Sequence, residues 1–131
     1  MADLNSIDWH RIARDAGGFR PAVFDFIREG LEHTARMIHG PGASAESHAD
    51  ETRHVTGAQL CLGLRDLAVQ RYGAMARTVL EHWNVRATED FGRIVFALIE
   101  AGVLRDSPED SYADFVGVYE FDEAFAEAEA I

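Results

Sequence analysis

HVTGAQLCLGLRDLAVQRYGAMARTVLEHWNVRATEDFGRIVFALIEAGVL, residues 54–104, is the stretch on which the fold turns. Near its start, Val55-Thr56-Gly57-Ala58-Gln59-Leu60 carries two helix-start signals at once. Thr56 at the cap can accept from the Gln59 N–H while the Gln59 side chain returns to the Thr56 N–H. Val55 before the cap and Leu60 beyond it form a hydrophobic staple that fixes the entry of the chain. The spacing then predicts a helix that buries Leu60, Cys61, Leu64, Leu67 and Ala68 and ends near Tyr72-Gly73.

A second helix is expected from Ala74, with Met75, Ala76, Val79, Leu80 and Trp83 on one face. Asn84 suits a left-handed C-cap, a conformation Asn tolerates better than most residues. Thr88 is read as the cap of a third helix over 89–101, with Glu89 and Asp90 at its positive end. Residues 94–99, Ile-Val-Phe-Ala-Leu-Ile, are apolar on nearly every side, which predicts a central, buried helix. A strand is the rival reading for six such residues, but the flanking cap and Gly102 favour helix.

Toward the N-terminus, residues 6–16 read as a short helix closed by Gly17-Gly18. Pro21 is placed to open a longer one, since its missing N–H costs nothing at the first helical position. That helix should run to about His39 and stop at Gly40-Pro41. Val23, Phe26, Ile27, Leu31, Ala35 and Ile38 recur at helical spacing, and Phe24 and Met37 widen the face enough for two packing neighbours. Residues 40–53 have almost no apolar content and predict a mobile surface loop.

Beyond Leu104 the pattern is less decisive. Ser107-Pro108 resembles a helix start. Phe115, Tyr119 and Phe121 fit one side of a strand and also fit helical spacing through Phe125, so periodicity leaves both open. The alanine- and glutamate-rich end, 122–130, predicts helix. The fold class is mainly α: one compact helical domain over 1–131, with about five to six helices by periodicity. The order of elements in 56–121 also resembles a winged helix, with the third helix in the recognition position and a short β-hairpin in 103–121 as the wing.

Within the same stretch, HVTGAQL at 54–60, GLRDLA at 63–68 and YGAMARTVLEHWNV at 72–85 carry a further resemblance. It continues through TEDFGRIVFALIEAGVL at 88–104 and DFVGVYEFDEAF at 114–125. These strings resemble an uncharacterised family of small proteins largely restricted to planctomycetes and verrucomicrobia. The resemblance covers most of the chain after the loop and more loosely the helix from Pro21. It implies no established activity. Where that family prefers Gly after the Trp, this chain has Asn84, a compatible C-cap.

Charge narrows the function classes. The chain of 131 residues has a net charge of −11, and all 12 of its basic residues are arginine. Without lysine there is no Schiff-base, pyridoxal-phosphate or P-loop chemistry to consider. From 105 to 131 there are nine acidic residues and one basic, a local net of −8, against −3 for the rest. Such a distribution repels nucleic acid and anionic membranes. The candidate recognition helix has Arg93 as its one cation against Glu89, Asp90 and Glu100, where groove reading needs cations for phosphates. No apolar run is long enough to span a bilayer, the first residues lack a signal-peptide pattern, and the lone Cys61 has no disulfide partner. A cytoplasmic protein is expected.

Few residues suggest chemistry. Asp90-Phe91-Gly92 spells the kinase magnesium tripeptide, but the other kinase motifs are missing. Residues 106–117 depart from a calcium loop at Pro108, Ser111 and Gly117. Glu51 and His54 have carboxylate-iron spacing in a single copy, ahead of the helix, and the six histidines make no HExxH. Cys61 on an apolar stripe reads as a small hydrophobe. No catalytic set, metal or cofactor is expected. The binding candidates are His54, Arg65, Asp66 and Glu100, with an intramolecular salt bridge as the plainer role for Arg65-Asp66. The leading expectation is a cytoplasmic interaction or adaptor domain, self-association included. The alternatives are a small enzyme or anion-binding protein with a polar pocket around His54, Arg65 and Asp66, and a DNA-binding winged helix.

Overall fold

The computed structural model describes residues 7–40, 55–105 and 111–130. The expected loop beyond Gly40, His54 and the helix start at Ser107-Pro108 lie outside the described residues. Helix α1 (Trp9–Gly17) is capped by the Asp8 carboxylate, which accepts from the Arg11 N–H at 3.1 Å. It therefore starts later than position 6. Pro21 precedes α2 (Ala22–His39) in right-handed helical geometry, as its locked φ favours.

Helix α3 (Gly57–Tyr72) begins as its sequence predicts. Thr56 Oγ1 accepts from the Gln59 N–H at 3.1 Å, and Gln59 Oε1 accepts from the Thr56 N–H at 2.9 Å. Leu60, Cys61, Leu64, Leu67 and Ala68 are all buried, and Val55 packs half-buried against the same core. α2 crosses α3 closely because position 63 has no side chain. A Cβ at Gly63 would lie 1.8 Å from Thr34 Oγ1, which is itself buried and donates to the Gly30 carbonyl at 2.6 Å.

A 3-10 turn at Gly73–Met75 leads into α4 (Ala76–His82). Met75, expected on the buried face, is 55% exposed because it belongs to this turn and precedes the helical period. Ala76 and Leu80 are buried, and the Trp83 ring lies 5.4 Å from Phe26 and 6.1 Å from Tyr72. Asn84 is left-handed, with φ 71°, as expected. Its N–H donates to Glu81 O and the Val85 N–H donates to Leu80 O, both at 2.9 Å, which closes α4 as a Schellman motif.

Helix α5 (Thr88–Glu100) buries Phe91, Ile94, Val95 and Leu98 but leaves Phe96, Ala97 and Ile99 half-buried, so it is not enclosed on every side as its apolar run predicts. Its start differs from the expectation. Ala87 holds the cap position, and the Asp90 carboxylate accepts from the Arg86 and Ala87 N–H groups at 2.9 and 3.2 Å. Thr88 is fully buried instead of capping. Its hydroxyl donates to the Phe115 carbonyl at 2.6 Å and accepts from the Val118 N–H at 3.2 Å.

Those two bonds hold residues 115–118 against α5, and the described residues of 103–121 form no strand, so the expected β-hairpin and the winged-helix reading are not supported. No strand occurs among the described residues. A 3-10 turn at Tyr112–Phe115, capped by Ser111 Oγ on the Ala113 N–H at 3.2 Å, leads into the segment for which a strand was the alternative. Phe115 is buried in the core beside α5, where a Cβ at Gly92 would lie 3.0 Å from the Phe115 Cβ. The backbone groups of Phe115 and Val118 that engage Thr88 are no longer available to a strand partner at this point. The expected helix over 122–130 is two single turns, α6 (Phe121–Ala124) and α7 (Ala126–Glu129), separated where Phe125 leaves helical geometry. Its fully buried ring lies 5.2 Å from Phe121. Helices α1 to α6 and the segment around Phe115 contribute to one hydrophobic cluster. No described helix is long and apolar enough to cross a membrane.

Candidate functional site

Neighbouring positions on a helix point about 100° apart, and Arg65 and Asp66 use that divergence. Arg65 Nε donates to the Ala124 carbonyl at 2.7 Å, fixing the end of α6 against α3. The Asp66 carboxylate turns to α2, accepting from His33 Nε2 at 2.7 Å and from Gln70 Nε2 at 2.9 Å. Both side chains thus act as ties between elements. His54 lies outside the described residues, so the pocket suggested around these three residues has no described third member. Glu100 is elsewhere, exposed at the end of α5.

Cys61 is fully buried, and burial, reinforced by the negative charge of Glu89, pushes its thiol up to about 12. A thiol held protonated at neutral pH is a poor nucleophile. Its carbonyl accepts from the Tyr119 hydroxyl at 2.8 Å, which brings the C-terminal segment over the middle of α3. Burial pushes the Tyr119 phenol up as well, opposed by the nearby Arg65 cation. Among the described residues, no group of three or more His, Cys, Asp or Glu is placed to hold a metal ion.

The surface of α1 and α5 offers more. An open groove of about 730 Å³ runs between them, within the size range of ligand clefts. Ile12 and Ala16 of α1 and Phe96 and Ala97 of α5 give it an apolar lining, with Tyr112 alongside, 40% exposed. A Cβ at Gly17 would lie 3.8 Å from Arg93 Cδ, which sets the end of α1 beside the Arg93 side chain of α5. Asp8 and Glu100 also line the groove.

The groove's arginines are engaged. Arg93 pairs with Asp90 within α5, and Arg11 lies 3.7 Å from Asp15 on α1. The last turn of α5, in which Glu100 lies, contains no basic residue. Glu100 was already a candidate from sequence, but the groove around it was not. Its one sequence signal is the apolar excess of 94–99, which supplies more faces than a single core neighbour uses.

No family model matches this chain, and no curated protein or solved structure is significantly similar to it.

Proposed function

We propose that this chain is a non-enzymatic, cytoplasmic protein-interaction domain that engages a partner through the groove between α1 and α5. The observation that carries this reading is the groove itself: an apolar lining flanked by charged side chains and open to solvent. The groups with the most reactive chemistry are otherwise engaged. Cys61 is buried and protonated, while His33, Asp66 and Arg65 tie helices together. The net charge of −11 opposes binding to nucleic acid or an anionic membrane. Kinship with the planctomycete and verrucomicrobial family is part of the same proposal and rests on the sequence strings that resemble it.

A photo-crosslinking amino acid at Ala97, inside the groove, tests the reading in the source cells. The expected result is a discrete crosslinked species that the same probe at Thr78, exposed on α4, does not give. Identical patterns from the two positions would sink it.

A further inference from the structure

We draw no further inference here: the strongest candidate, the exposed apolar patch of Met37 and Leu62 that lies one helical turn from the His33–Asp66 tie between α2 and α3, carries none because nothing in the structure shows what covers it.

Discussion

Two helices of this protein have a threonine at their start, and the two threonines have opposite roles. Thr56 is exposed and caps α3, exchanging hydrogen bonds with Gln59 three residues away. Thr88 opens α5 from a fully buried position, and its hydroxyl binds Phe115 and Val118, 27 and 30 residues ahead. With Asp90 supplying the cap of α5, Thr88 is released to hold the C-terminal segment on the core. A capping residue near a helix start thus reports a local fact only when no distant backbone group competes for it.

The comparison is open to attack from the C-terminal side, where the effects should be largest. Tyr119, one residue beyond the Thr88 contact at Val118, closes over Cys61. Native protein at about pH 8 should therefore react with Ellman's reagent on the order of 10³-fold more slowly than urea-unfolded protein. Similar rates would mean that this segment is not docked. Because the folded thiol is raised from 9.0 to about 12, its contribution is fully present below pH 9. It is lost as pH rises from 9 to 12, where the unfolded state ionises first, so urea midpoints should decline across that window.

Phe115→Ala empties the site beside Gly92 and should cost about 3 kcal/mol by urea titration. A loss below about 1 kcal/mol would remove the segment from the cooperative core. Thr88→Val keeps the shape but strands a buried carbonyl and N–H, for an expected loss of about 2 kcal/mol, and Thr88→Ser should recover much of it. Thr56→Ala, on the exposed cap, should cost about 1 kcal/mol. If Thr56→Ala proved the more damaging of the two threonine changes, the division between a local cap and a long-range tie would be wrong.

The same division explains what could be read in advance. The buried stripe of α3, the Asn84 turn, the stop of α2 and the helical state of α5 follow from periodicity and short-range caps. The path after Leu104 does not, because Phe115, Tyr119 and Phe121 satisfy strand and helix spacing equally. Its docking on α5 combines Gly92, which leaves room for the Phe115 ring, with the Thr88 hydroxyl, which bonds Phe115 and Val118. Arg65-Asp66 was legible as a pair of interest. Which way each side chain turns depends on His33 and Ala124, far along the chain.

By itself, then, the sequence determined most of the helices, several of their ends and the sign of the surface charge. Hydrogen bonds within four residues and apolar spacing along one helix are complete in a short window of chain. Only the tertiary structure decided the role of Thr88, the non-strand path of 111–121 and the groove between α1 and α5. Each of these is set by a partner from another element, which no local pattern contains.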